Sequence, residues 1–140
     1  MKTYVVGTDG SETAARAAKR AGDLATQTGA TVHVVCAYDR RGASTVGGVG
    51  GDSFEISSLQ SAEQIADQQA ATFRARGIDA TSAALDEKPA EALLSEAERL
   101  EAEMIIVGNR RMHGVSRILG AVANHVAHNA PCDVLVVKTV

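Results

Sequence analysis

Short runs of β-branched and apolar residues alternate along this chain with longer stretches of helical periodicity, and no other feature limits its fold so strongly. The runs are Tyr4 to Thr8, Thr31 to Tyr38, Ile78 to Leu85, Met104 to Val107 and Asp133 to Val137. Most lack the polar alternation of a strand with one wet face, so they read as strands buried on both sides. Between the first two, Ala14, Ala18, Ala21 and Leu24 recur at steps of three and four while Arg16, Lys19 and Arg20 take the other side, which predicts a helix from Glu12 to Thr28. Ser11 is placed to cap its start and Gly29 to stop it. A second helix is expected over Ser53 to Arg76, on a thin stripe of Ile56, Leu59, Ile65, Ala66, Ala70 and Phe73, with Gly77 as its stop. A third begins at Pro89, a residue suited to a first helical turn, and carries Leu93, Leu94, Ala97 and Leu100. Val115, Ile118, Leu119, Val122 and Val126 predict a fourth, beginning near Gly114, and Pro131 ends the connection into the last strand.

Strand and helix alternation of this kind predicts a doubly wound parallel sheet with helices on both faces. Met104 to Val107, wholly apolar, belongs at its centre, and Ile78 to Leu85, interrupted by Thr81 and Ser82, belongs at an edge. If the sheet grows first one way and then the other, strands one and four become neighbours and a ligand crevice opens between their carboxyl ends. Asp9 and Gly108 end those two strands.

At 140 residues the chain fits one domain, 1–140. Aromatic residues make up only 3%, which leaves no stacking platform for a single-stranded nucleic acid, and a formal charge of −3 argues against a surface built for polyanions. No nucleic-acid partner is therefore expected. The amino terminus has no long apolar leader and no run approaches the ~18 residues of a membrane span. A cytoplasmic protein with no membrane partner follows as the expectation. Cys36 and Cys132 each lie in an apolar run and are read as reduced core residues. Asp39 to Asp52 is rich in Gly, Ser and Thr; its glycine spacing does not fit a dinucleotide fingerprint, and it reads as a flexible surface loop.

Function is concentrated after the fourth strand. Gly108 and Gly114 permit close backbone approach, and Arg110, Arg111, His113 and Arg117 surround them with positive charge. A turn of this build before a helix attracts an anion, though a basic, solvated connection has the same composition. There is no P-loop signature and no nucleophile elbow, so neither a P-loop NTPase nor a Ser hydrolase is indicated, and no catalytic residue is assigned. Any hydrolysis should be very slow, His113 being the loop's one candidate base. Asp9 has two readings, a ligand to ribose or base and an Asx-turn residue ahead of the first helix. His125 and His128, three apart on a helix, share a face, but no third ligand at matching spacing joins them and no metal site is expected.

Three stretches carry a resemblance: Val5-Val6-Gly7-Thr8-Asp9-Gly10-Ser11-Glu12-Thr13-Ala14, Pro89-Ala90-Glu91-Ala92-Leu93, and Ile106-Val107-Gly108-Asn109-Arg110 continuing to Ala130-Pro131-Cys132-Asp133-Val134-Leu135-Val136-Val137. Together they resemble the universal stress protein family over essentially the whole chain. The resemblance implies a five-stranded parallel sheet of order 3-2-1-4-5 in the adenine nucleotide alpha hydrolase-like fold, and a homodimer joined through the last strand, Asp133 to Val137. It implies a site for ATP or another adenine nucleotide such as cyclic AMP, with Mg2+ entering only through the phosphates. Thr8 and Asp9 match the adenosine side, Ala37 the backbone position beside the base, and Gly108, Arg110, Gly120, Ala121 and Val122 the phosphate side, with Val107, Arg111 and Gly114 beside them. Three positions depart from the family motif: Arg111 replaces its second glycine, the interval to Gly120 is one residue short, and Ala121 replaces its final hydroxyl residue. The role implied is regulation in a stress response rather than catalysis; the alternative is a dimeric interaction protein that acts through protein partners without nucleotide.

Overall fold

The computed structural model describes residues 2–39, 51–109 and 119–139, with residues 51–57 described by backbone alone. Nine elements follow in order: β1 (Thr3–Gly7), α1 (Glu12–Thr28), β2 (Thr31–Tyr38), α2 (Gly51–Ala75), β3 (Ala80–Asp86), α3 (Pro89–Arg99), β4 (Met104–Asn109), α4 (Ala121–Asn129) and β5 (Asp133–Lys138). All strands are parallel, in the order β3-β2-β1-β4-β5. The sheet reverses its direction of growth between β1 and β4, where Val5 lies beside Ile105.

Because successive strand side chains point to opposite faces, the two-residue period of each central strand divides the core in two. Tyr4, Val6, Val32, Val34 and Ile106 pack with α1 and α2, where Ala18, Ala21, Ala70 and Phe73 meet them. Val5, Val35, Ile105 and Val107 pack on the other face with α3 and α4, against Leu93, Ala97, Ala123 and Val126. A core fed so largely by Ala and Val lets the helices lie close to the sheet. Phe73 is the one aromatic ring among the largest fully buried side chains.

Local signals read from the sequence set the boundaries of α1. The Ser11 hydroxyl accepts from the Ala14 amide at 3.1 Å, and Gly29, at φ +74°, donates its amide to Ala25 at the other end. Elsewhere the limits differ. Gly51 and Asp52 belong to α2 rather than to the loop, and residues 40–50 of that expected loop lie outside the described residues. β3 starts at Ala80 instead of Ile78, whose side chain is buried below the strand. The largest correction is α4. Gly120, in extended backbone, is its N-cap, so Leu119 precedes the helix; Val115 and Ile118 lie outside the described residues. Ala123 and Val126 set the buried face of α4, which turns Val122 outward to 38% exposure instead of into the core.

β3 and β5 are the sheet edges. The Val32 amide bonds the Asp79 carbonyl, so the next carbonyl, that of Ala80, points away from β2. The Arg74 guanidinium covers it, with Nε at 3.1 Å and Nη2 at 2.9 Å. The Ser82 hydroxyl, two residues on, bonds the Asp67 carboxylate of α2. At the β3 edge Arg74 of α2 thus covers one outward carbonyl, while Asp67 holds a side chain on the α2 face. β5 carries four apolar residues in succession, Val134 to Val137, each half-buried.

A buried polar network joins β2 to α3. His33 Nε2 lies 2.8 Å from Glu96 Oε1, and His33 Nδ1 lies 2.6 Å from the Thr81 hydroxyl on β3. A carboxylate can only accept, so Nε2 carries the hydrogen. Arg99, exposed on α3, adds contacts of 2.7 and 2.9 Å to the same carboxylate. These donors, Arg99 first, hold the Glu96 carboxyl down at about 2 against burial that opposes them.

Candidate nucleotide site at the topological switch point

The site begins where β1 runs out. Thr8 extends the ladder by one bond, its amide donating to the Val35 carbonyl at 2.9 Å. The chain then turns sharply through Gly10 at φ +81°, a conformation that costs glycine little. Two side chains brace the turn: Thr8 Oγ1 accepts from the Gly10 amide at 3.2 Å, and Asp9 Oδ1 accepts from the Ser11 amide at 2.9 Å. The turn role of Asp9 is therefore realised, and its exposed position leaves the carboxylate at the mouth of the crevice. Its charge is felt one strand away: the Cys36 thiol is pushed up to about 11, mainly by burial and further by Asp9. Both cysteines are free thiols, and the sheet order separates β2, which holds Cys36, from β5, which Cys132 immediately precedes.

Between the carboxyl ends of β1, β2 and β4 lies a cavity of about 210 Å³. Thr8, Asp9, Ala37, Val107 and Gly108 line it from the strand ends, and Val122 lines it from α4. These six are sequence-assigned site residues, and the fold brings them together. Gly120 and Ala121 stand just before Val122 without lining the cavity. Arg110, Arg111 and Gly114, with His113 and Arg117, lie outside the described residues.

Sequence reasoning missed the wall supplied by α3. Pro89 and Leu93 line the cavity opposite the Asp9 turn. A Cβ on Gly7 would come within 3.2 Å of Leu93 Cδ2, so the glycine that ends β1 is what admits Leu93. That glycine was the available signal. Gly108 likewise serves close packing: a Cβ there would meet Thr139 Cγ2 at 3.1 Å, Ala17 Cβ at 3.2 Å and the Thr13 carbonyl at 3.3 Å. Its backbone, not a side chain, faces the crevice. Thr139 is held in turn through its carbonyl, which accepts from Arg16 Nη1 at 2.6 Å. Among the described residues no group of three or more His, Cys, Asp or Glu side chains is arranged to hold a metal.

The start of α4 presents backbone N–H groups. Gly120 offers no side chain to cap the helix, and the carbonyl of Gly120 accepts the first helical bond, from Asn124. The amides of Ala121, Val122 and Ala123 fall in the first turn, where helices leave their N–H groups without internal partners. Such a turn carries a partial positive charge toward the crevice end of the sheet.

A family model describing the universal stress protein family matches residues 1–138. The chain belongs to the universal stress protein family. A relative from Methanocaldococcus jannaschii is 33% identical over 98% of this chain and 82% of its own length. One from Mycobacterium tuberculosis is 30% identical over 99% of this chain and 97% of its own. Solved structures agree: a universal stress protein crystallised in complex with cAMP superposes with a TM-score of 0.76 at 28% identity, covering 99% of this chain and 98% of that one. A universal stress protein from Archaeoglobus fulgidus gives 0.74 at 22% identity, covering 99% of both chains, a likeness of fold. The five-stranded sheet of order 3-2-1-4-5 is thus the fold of this family, and among the described residues no helix is long and apolar enough to cross a membrane.

Proposed function

We propose that this protein binds an adenine nucleotide, ATP or cyclic AMP, in the crevice between β1 and β4 and uses it as a regulatory ligand in a stress response. The observation that carries this reading is the convergence at one cavity of the Asp9 turn, the backbone of Ala37 and Gly108, and the apolar wall of Val107, Pro89 and Leu93. An apolar slot with a few polar groups at its rim suits a purine with its ribose outward. The likeness to a relative crystallised with cAMP supports the same ligand class. On this reading Ala37 lies beside the base, Thr8 and Asp9 meet the ribose, and Gly108 and the first turn of α4, from Gly120 to Val122, meet phosphate. Arg110, Arg111 and Gly114, which the sequence sets between those two phosphate-side elements, would add charge and backbone donors there, and Mg2+ would enter only with the phosphates. No activated nucleophile or base is assigned, so the role is binding rather than turnover.

The protein is further proposed to be a cytoplasmic homodimer through β5. What supports the dimer is the difference between the sheet edges, one with its Ala80 carbonyl covered by Arg74 and the other an apolar run. The ligand reading is tested by calorimetric titration of nucleotide-stripped protein with ATP, ADP and cyclic AMP. Saturable heat with at least one of them is expected, and no heat or thermal stabilisation at millimolar ligand refutes the reading.

A further inference from the structure

Asn109 is the last residue of β4 and is only 4% exposed, an unusual place for a side-chain amide at the mouth of a sheet. Its Oδ1 accepts the Gly120 amide at 3.0 Å, which ties the carboxyl end of β4 to the N-cap of α4 across eleven positions of sequence. The fit is close from the other side as well. A Cβ on Gly120 would stand 2.9 Å from that same oxygen, so glycine is what lets the cap approach the amide. Gly120 therefore donates its own N–H to protein, while its carbonyl starts the helix.

We infer that Asn109 is a positioning residue for the phosphate side of the site: by holding the Gly120 N-cap it aims the first turn of α4 at the crevice. The inference rests on the nucleotide reading above and deepens it. Aligning a helix end for an anion matters because the dipole effect falls off within the first turn. A tie that already fixes the Gly120 N-cap against the end of β4 also spares the ligand the entropy of ordering that contact, which is the usual gain from preorganisation. Asn rather than Asp at this position supplies the acceptor oxygen without placing a negative charge beside phosphate. Adenosine, which has no phosphate, should gain nothing from the tie.

The test is a comparison of ATP and adenosine affinities in wild type, Asn109→Ala, Gly120→Ala and the double variant, each checked for folding by thermal melt. One net hydrogen bond is worth about tenfold in binding. Asn109→Ala should weaken ATP by about tenfold while leaving adenosine within about twofold, and Gly120→Ala, which pushes the cap off the amide, should do the same. The double variant should resemble either single one rather than show both losses. Equal losses for ATP and adenosine, additive losses, or no loss overturn the inference and leave the nucleotide reading standing. Wild type that binds none of ATP, adenosine and cyclic AMP overturns both. Should Asn109→Ala fail to fold, Gly120→Ala alone decides by the same ratio.

Discussion

His33 of β2 and Glu96 of α3 meet across the buried face of the sheet at 2.8 Å, and the Glu96 carboxyl is held well below the usual carboxylate range. Its carboxyl falls from 4.5 to about 2, the Arg99 contacts being the first cause and His33 a further one. A depressed carboxyl stabilises the fold fully above its unfolded value, and this contribution is lost as pH falls from about 4.5 towards 2, amounting to about 3 kcal/mol. The difference in urea stability between wild type and Glu96→Gln should therefore be largest at pH 6 and shrink by most of its size at pH 3. A difference that stays constant over that interval would remove Glu96 as the source.

The same network makes an asymmetric prediction about its members. Replacing His33 by Phe leaves a buried carboxylate with one donor fewer, whereas replacing both His33 and Glu96 by apolar residues leaves no buried charge. His33→Phe should cost about 2–4 kcal/mol, and the His33→Phe/Glu96→Leu double variant less than the sum of its parts. Chemical denaturation of all three proteins supplies the cycle.

The turn role of Asp9 and its proposed ligand role can be separated by substitution. Asn at this position keeps an oxygen for the Ser11 amide, so Asp9→Asn should preserve the turn, while Asp9→Ala loses it. Because the contact is exposed, even Asp9→Ala should lower stability by less than about 1 kcal/mol. Its effect on adenosine affinity should be far larger, about 10- to 100-fold, as expected for a hydrogen bond to a charged group. Asp9→Asn should fall between wild type and Asp9→Ala. Equal adenosine affinities in all three proteins would take Asp9 out of the site.

Gly108→Ala should act first on folding. The added methyl meets Thr139, Ala17 and the Thr13 carbonyl, all at 3.1–3.3 Å, so α1 and the end of β5 must give way together. Overpacking of this kind costs about 1–3 kcal/mol. A urea midpoint equal to that of wild type would show that the junction has room, and would move the need for glycine from packing to the ligand.

These four residues mark how far the sequence was legible. The alternation of strand runs and helices, Ser11 before α1 and Gly29 after it were enough for the topology, because burial on both faces and capping leave local traces. Asp9 and Gly108 could be placed because they end strands one and four, which the topology alone carries to one crevice, whereas Thr8, Ala37 and Val107 came with the family resemblance. Val122 reached the crevice for a different reason: the fourth helix begins at Ala121, six or seven positions later than its periodicity suggested, so Val122 falls in its first turn, at the crevice end of the sheet, and is 38% exposed. Leu93, Asn109 and the His33–Glu96 pair left no such trace. Leu93 needs a glycine 86 positions away, His33 and Glu96 stand 63 positions apart, and Asn109 needs Gly120, and pairings of this kind are set by the assembled sheet. Asn109 is the nearest of them, eleven positions from Gly120, and still needed the start of α4 to be known.

The edge strands provide the last test. An exposed strand edge is a template for another strand, and β3 blunts its own with Arg74 on the Ala80 carbonyl. β5 presents Val134, Leu135, Val136 and Val137 at the opposite edge, each half-buried in the single chain. Pairing β5 with its own copy about a two-fold axis would be antiparallel and would bury those side chains from both protomers. Light scattering should give twice the 14.5 kDa chain mass for wild type. Val136→Lys, which sets like charges together only in the pair, should give a single-chain mass with the thermal melt still cooperative. A concentration-independent monomer in wild type rejects the β5 dimer. A wild-type dimer that survives Val136→Lys moves the interface to another surface, and Arg74→Ala, which uncovers the β3 edge, then becomes the variant to measure.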